Sequence, residues 1–467
     1  MKTNMNRARW ALAVGLVSVA ALAACDSVKT ELLQPQNPGL IDPTAVTTPT
    51  AALALRIGAL GRYKQVVNCG NGECAWAQSG LLTDEFKNAD FQVPRADVDQ
   101  RNMANDPNWN YSGTTQSRGF IRDAIDALKK YAPDSLSMIG ELYAELGFIE
   151  MTLADNYCNG IPLGHTIAGV QTNGVPLTTQ AVYDSANAHL DTAILKITGT
   201  DAQSVYARRA AQIFKARVLV MQGKFALAAA QVTVANVPTT YQYDMVFSAT
   251  GGTNGLWTVA NSIARITVAD SFDIVNLLPN LIVNALPFAS ANDPRVPVLS
   301  GNVTVPKVTA EDQSTPMFLS QLWKGQFDPL VLASGVDARL IEAEAALNVP
   351  DITAMMVILN SLRTVRPLSL AAYAVPAMAA LPTPGTQAAA TALFFREKAF
   401  WTFGRGQRLP DMRRMVRLYP TVYADESKVF PKGVFFKGGN YGSDVNFPVP
   451  SVEQANPLFS ACLDRKA

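Results

Sequence analysis

Apolar residues spaced three and four apart on either side of a tight turn are what most constrain this chain. Ile121, Ile125 and Leu128 make one stripe, Pro133-Asp134-Ser135 interrupts it, and Leu142, Leu146, Ile149 and Leu153 make a second. That period places each set on one face of an α-helix, and the short connection makes the two helices antiparallel neighbours. Gly140, Ala144 and Gly147 lie on the second helix, where small side chains permit close approach of another helix. The same reading predicts helices over 51–67, 182–195, 202–223, 225–237, 338–348, 351–363 and 388–403.

In the 202–237 pair, Ala216, Gly223, Phe225, Ala228 and Ala235 resemble a degenerate tetratricopeptide repeat. Small residues sit where the two helices touch, and a phenylalanine fills the gap near the turn. The expected fold is mostly α: helical hairpins over about 118–237 and 336–417, with a long irregular insertion of loops and short strands. That insertion, 240–335, carries Gly251-Gly252, Asn254-Gly255, many prolines and a β-branched run at 303–305. Residues 68–117 also read mostly as loop, with Trp76, Phe86, Phe91, Trp109 and Tyr111 scattered through them, and 418–467 is Pro-rich and irregular. Long loops on a rigid scaffold are where binding residues concentrate, so 68–117 and 240–335 are the expected binding face.

The beginning of the chain addresses location. Lys2, Arg7 and Arg9 precede an apolar run, 10–21, too short to span a bilayer comfortably, and small residues lead to Cys25. Leu22-Ala23-Ala24-Cys25 resembles a bacterial lipobox. Residues 1–24 are thus expected to be a lipoprotein signal peptide, Cys25 the lipidated residue, and 25–50, rich in Pro, Thr, Gln and Asn, an extended tether. The several acyl chains on one such residue suffice for stable anchoring. Loss of residues 1–24 removes three bases and no acid, turning a formal net charge of +1 into −2. A near-neutral chain lacks the concentrated basic face that nucleic acid requires, so no nucleic-acid partner is expected.

Four further cysteines remain. In an exported chain an even number suggests disulfides. Cys69-Gly-Asn-Gly-Glu-Cys74 is a short loop with two glycines that can close it, and Cys158 would then pair with Cys462 by elimination. Metal binding is the alternative use of these cysteines, although neither pair has a histidine near it in sequence.

Over nearly the whole mature length, the order of motifs resembles the SusD/RagB-like outer-membrane lipoproteins. Leu33-Gln34-Pro35-Gln36-Asn37-Pro38 follows the anchor, and Asn156–Leu163 looks like the family's aromatic-Gly-Asp-x-Pro-Leu segment with Asn159-Gly160 in place of Gly-Asp. Lys215-Ala216-Arg217, Gly223-Lys224-Phe225, Asn292-Asp293-Pro294-Arg295 and Arg339-Leu340-Ile341-Glu342-Ala343-Glu344-Ala345 match further stretches. So do Arg396-Glu397, then Gly406-Gln407-Arg408-Leu409-Pro410-Asp411-Met412-Arg413-Arg414, and Phe447-Pro448-Val449-Pro450 followed by Asn456-Pro457. The penultimate stretch has an extra residue around Gly404-Arg405 and lacks the acid before Gly406. The resemblance implies a surface lipoprotein, facing the cell exterior, that binds a nutrient, usually a glycan, and caps a TonB-dependent SusC-like barrel. The membrane partner is reached through the lipid alone.

No catalytic signature is present: there is no Gly-x-Ser-x-Gly elbow, His-Glu-x-x-His, phosphate-cradling Gly-x-x-x-x-Gly-Lys or EF-hand loop. No catalysis, cofactor or metal is expected. Two rival readings are a lipid-anchored α-helical glycoside hydrolase, since two carboxylates can meet from anywhere in a sequence, and a structural repeat scaffold of the envelope. For a glycan or peptide ligand, Trp76 and Trp323 are the candidate platforms, because they fall in loop-rich regions and a sugar stacks its C–H face on an aromatic ring. Asp84, Asn88 and Asp90 are candidate polar contacts, with turn formation as their structural use. Trp401 and Tyr111 read as packing residues. Arg408, Asp411, Arg413, Arg414, Glu342 and Glu344 read as a charge network between helices, with an anionic-ligand clamp as the functional alternative for the first four.

Overall fold

The computed structural model describes residues 43–68, 74–103, 110–167, 170–272, 282–300, 309–365, 368–370 and 373–467. The expected signal peptide 1–24, Cys25, most of the tether, Cys69, Trp109 and the run at 303–305 lie outside these residues. The chain divides into two units, Met1–Val46 and Thr47–Ala467. Of the first, a short 3-10 turn at Pro43–Ala45 is described.

The second unit is built on antiparallel helix pairs. Tyr111–Tyr131 and Leu136–Asn156 form the first hairpin, and Thr179–Lys196 packs along the second of these. The small residues on that helix do what their spacing predicts. A Cβ on Gly140 would lie 2.5 Å from Ile197 Cγ1, and one on Gly147 2.5 Å from Leu190 Cγ. Ala144, Ala193 and Ala211 meet in one cluster, so three helices converge on alanines. Ala202–Met221 with Phe225–Gln231, then Gly335–Asn348 with Ile352–Thr364, continue the pattern. Gln387–Trp401 and Arg408–Leu418 close the scaffold. Caps explain several starts: Asp201, Asp351 and Thr386 accept the backbone N–H three residues on. Ser334 and Asp337 make a full capping box.

The 240–335 insertion contributes short antiparallel ribbons: Gln242–Met245 on Leu330–Ser334, Phe86–Asn88 on Ile266–Val268, and Val298–Ser300 on Phe318–Ser320. Residues 68–117 are more helical than expected. Ala75–Leu82 is a helix buried at every position, and Val93–Asp99 is a second. A helix buried all round lacks the one-sided stripe that marks a surface helix, so its period was not visible. The first hairpin also starts earlier than the sequence suggested, at Tyr111.

Cys158 and Cys462 are disulfide-bonded, with Cα atoms 6.0 Å apart across a sequence separation of 304. Cys74 also takes part in a disulfide. Beside the first bond, Cys158 N–H donates to Phe447 O at 2.9 Å and Leu463 N–H to Asn159 O at 2.8 Å, so the C-terminal strap is sewn to the end of the Leu136–Asn156 helix. Among the described residues no helix is long and apolar enough to cross a membrane.

Candidate ligand-binding groove

The expected platforms are corrected by the structure. Trp76 is 4% and Trp323 2% exposed. Both line one apolar cavity of about 10 Å³ with Trp401 and Phe403, which is too small for a ligand. The reason is local. Gly404 and Gly406 have φ of +68° and +63°, and a Cβ on each would lie 2.8 Å from Trp323 Cη2 and 2.3 Å from Trp76 Cδ1 respectively. The double-glycine turn is the bare surface against which both indoles pack. Between the glycines, Arg405 donates from Nη2 to Asp337 Oδ2 at 2.5 Å and from Nε to Val331 O at 3.1 Å.

Asp84 is likewise consumed by the scaffold. Its carboxylate holds Arg408 through Nε at 2.6 Å and Nη2 at 2.8 Å, and also accepts from Leu286 N–H at 2.8 Å. The rest of the predicted charge network is present. Arg414 forms a two-pronged pair with Glu344 at 3.0 and 2.9 Å, Tyr419 Oη donates to Glu344 at 2.9 Å, and Lys398 donates to Asp411 at 2.7 Å. Arg413 donates instead to the carbonyls of Ala154 and Asp155, both at 2.8 Å, and Glu342 pairs with Arg339. Trp401 and Tyr111 are fully buried, as expected.

Asn88 and Asp90 lead to a different place. After the Phe86–Asn88 strand, Asp90 N–H donates to Asn88 Oδ1 at 3.2 Å and Gln92 N–H to Asp90 Oδ1 at 2.7 Å. This pair of Asx-type turns, followed by Pro94 in the first turn of Val93–Asp99, throws Phe91 and Val93 outward. They are 68% and 62% exposed, although Arg95 folds back onto the buried Asp90 carboxylate. These residues form one wall of an open groove of about 390 Å³.

Two further segments complete it. Asp312, after the 301–308 stretch, accepts from the N–H groups of Ser314 and Thr315 at 2.9 and 2.8 Å and from the Thr315 hydroxyl at 2.5 Å. A turn at Phe435–Gly439, with φ of +111° and +75° at Gly438 and Gly439, presents Phe436 and Lys437. Lys437 Nζ ties the walls together, donating to Asp90 O and to Asp312 Oδ2, each at 2.7 Å. Partial burial disfavours the Asp312 charge, but the bonds from Lys437 and Thr315 outweigh it and hold the carboxyl at about 2. Behind the groove, burial drives Asp99 up to about 7 despite the Asn88 N–H it accepts. An alanine-lined cluster of Ala89, Ala264, Ala310, Met317 and Leu319 supports the floor.

The groove therefore joins the two expected regions, 68–117 and 240–335, and adds the 433–441 turn. Of the predicted contacts it holds Asp90 at its edge and Asn88 beneath. Phe91, Asp312, Thr315, Phe436 and Lys437 were not singled out as site residues. The signal for Phe91 was present: an aromatic directly after an Asn-Ala-Asp turn, in a segment without helical period.

An exposed aromatic face beside an ionised carboxylate, a lysine and hydroxyl groups is suited to a ligand with an apolar ring face and a polar rim. Among the described residues no group of three or more His, Cys, Asp or Glu is placed to hold a metal ion.

The fold is similar to that of solved SusD superfamily proteins. A SusD superfamily protein from Bacteroides vulgatus ATCC 8482 aligns with a TM-score of 0.61 at 16% identity, over 89% of this chain and 100% of that one. One from Parabacteroides distasonis ATCC 8503 gives 0.61 at 15% identity, over 88% and 98%. A SusD-like carbohydrate binding protein from Bacteroides vulgatus ATCC 8482 gives 0.54 at 14% identity, over 78% and 83%. No family model matches the sequence, and no curated protein does.

Proposed function

We propose that this chain is a SusD/RagB-like outer-membrane lipoprotein. Residues 1–24 export it, acyl chains on Cys25 anchor it at the cell exterior, and it binds a nutrient glycan without turnover. It then delivers that glycan to a TonB-dependent SusC-like barrel. The observation that carries the reading is the open groove of Phe91, Asp90, Asp312 and Lys437 on a SusD-like scaffold, of which one solved neighbour is described as carbohydrate binding. The Phe91 ring is the stacking surface, and the polar groups beside it meet the sugar's hydroxyls.

The test is a calorimetric screen of the purified chain against polysaccharides and peptides, with the ligand recovered afterwards and checked for cleavage. Phe91→Ala is expected to weaken glycan binding by about 1–3 kcal/mol without affecting the fold, since the ring is exposed. Unchanged affinity refutes the groove, and shortened glycan refutes binding without turnover in favour of a hydrolase. Mild extraction should also recover a large β-barrel in near-stoichiometric amount. Its absence, under conditions that preserve other outer-membrane complexes, counts against delivery.

A further inference from the structure

A second groove, sharing no residue with the first, lies between the Tyr111–Tyr131 helix, the small ribbons at 161–177 and the 3-10 turn at Ser451–Ala455. It holds about 320 Å³, at the lower end of the roughly 300–1,000 Å³ of small-molecule sites. Its floor is tightly built. A Cβ on Gly174 would lie 2.6 Å from Leu163 N, and one on Gly164 2.9 Å from Thr172 O, so the two passes of chain close to backbone contact. Asn456 Nδ2 donates to Gly174 O at 2.8 Å, fixing the C-terminal turn to that floor.

The lining is mixed, with several polar side chains among glycines, Pro162 and Leu163. Gln116 and Gln171 are exposed, Asn173 and Glu453 half-buried, and the Arg118 side chain reaches the groove from beneath. Arg118, which lines the groove, uses Nε on Glu150 at 2.8 Å and Nη1 on Gly164 O. The chemistry narrows the ligand. An apolar molecule would make no use of the amides or of Glu453. An anion would meet Glu453 and an arginine already neutralised by Glu150. A cation would find a single carboxylate, Glu453, in the lining. A neutral hydroxyl both donates and accepts, so a ring bearing several can satisfy Glu453 and the amides together.

We infer that this groove is a second saccharide subsite, taking a short neutral stretch of sugar by hydrogen bonds at its rim. It rests on the glycan reading only for the choice of ligand. His165 lines the groove, and burial, with Arg122 and Arg118 nearby, lowers its pKa, so a flat uncharged ring is available at neutral pH.

The experiment follows amide hydrogen exchange of the full lipidated chain in detergent, titrated with maltohexaose, cellohexaose, xylohexaose and mannohexaose. Calorimetry runs in parallel. At least one probe should protect 161–177 and 451–456. In Gln116→Ala/Gln171→Ala, whose altered side chains are exposed, that protection should require at least about tenfold more sugar. Phe91→Ala should leave it unchanged. Protection confined to 90–96 and 312–315, and lost in Phe91→Ala, overturns the second subsite while sparing the proposed function. Protection confined to 161–177 and 451–456 overturns the Phe91 assignment and upholds the inference. No protection by any probe, or equal protection in the double variant, overturns the inference.

Discussion

Gly406 decides whether Trp76 is a core residue, and the structure gives the cost of disturbing it. Its φ is +63°, and an added Cβ would lie 2.3 Å from Trp76 Cδ1, 2.8 Å from Nε1 and 3.0 Å from Cγ. Trp76 sits on a fully buried helix and cannot swing into solvent. Gly406→Ala therefore carries two penalties. A side chain in the left-handed region costs about 1–2 kcal/mol, and forcing a methyl into a filled space costs about 1–3 kcal/mol. Together the expected loss is about 2–5 kcal/mol. Gly252 is the internal control: its φ is +87°, and nothing lies within 4 Å of its added Cβ. Gly252→Ala should thus show the backbone penalty alone. Urea unfolding of the mature protein, followed by tryptophan fluorescence, measures both as midpoint shifts at constant slope. Adding Trp76→Leu to Gly406→Ala should be less than additive, because the smaller side chain makes room for the methyl. Equal losses for the two glycine variants would show that Trp76 does not press on Gly406, and would return that ring to the pool of ligand platforms.

Two further outcomes follow from buried charge. Glu344→Gln removes the two-pronged partner of Arg414, leaving only Asp411 opposite it, and the Arg414 and Glu344 side chains are at most 2% exposed. Stability should fall by about 3–5 kcal/mol, whereas Glu342→Gln, at a pair whose acid is 21% exposed, should cost under about 1 kcal/mol; urea midpoints compare them. Burial, against the hydrogen bonds each accepts, raises Glu85 and Glu145 to about 8. The folded state thus keeps protons that the unfolded chain gives up near pH 4.5. That contribution is intact below pH 4.5 and is lost as pH rises to about 8, so stability should drop by a few kcal/mol across this window. Burial shifts Asp99 and Asp244 the same way, to about 7 and about 6. Glu145→Gln should flatten the slope of urea midpoint against pH between 5 and 8, and an unaltered slope would refute the assignment.

The scaffold was legible because its constraints are periodic or complementary. Gly140, Ala144 and Gly147 fall on one helix face, and a close neighbour is the direct consequence. Of the arginines in 405–414, Arg405, Arg408 and Arg414 find acids in Asp337, Asp84, Glu344 and Asp411. The site was legible only as a pair of regions. Trp76 was misplaced because a short helix buried on every side, with Gln78 and Ser79 in its middle, has no readable face. Trp323 was misplaced because its packing partner, Gly404, lies far along the chain. Lys437 could not be joined to Asp90 and Asp312 from sequence, since a salt bridge between loops follows no local period.

The residues that lead up to Phe91 hold the groove still. The run 84–90 reads Asp-Glu-Phe-Lys-Asn-Ala-Asp, and almost every member is tied down. Asp84 grips Arg408, Glu85 accepts the Gly404 N–H at 2.9 Å, and Phe86 packs edge-on against Phe403. Lys87 donates to Phe272 O at 3.1 Å, and Asn88 N–H to Asp99 at 2.6 Å. Asp293 and Glu397 share Arg295 in the same manner, binding the insertion to the Gln387–Trp401 helix. Buried ion pairs contribute modest net stability, because desolvation offsets attraction, but they tolerate few alternative arrangements. The scaffold thus spends its charges on fixing where 84–90 runs, and Phe91, one residue beyond, inherits that fixed position while remaining open to solvent. A candidate binding face assembled from three distant loops needs such a mount, because each loop alone would lose on binding the conformational entropy that the charge network has already removed on folding.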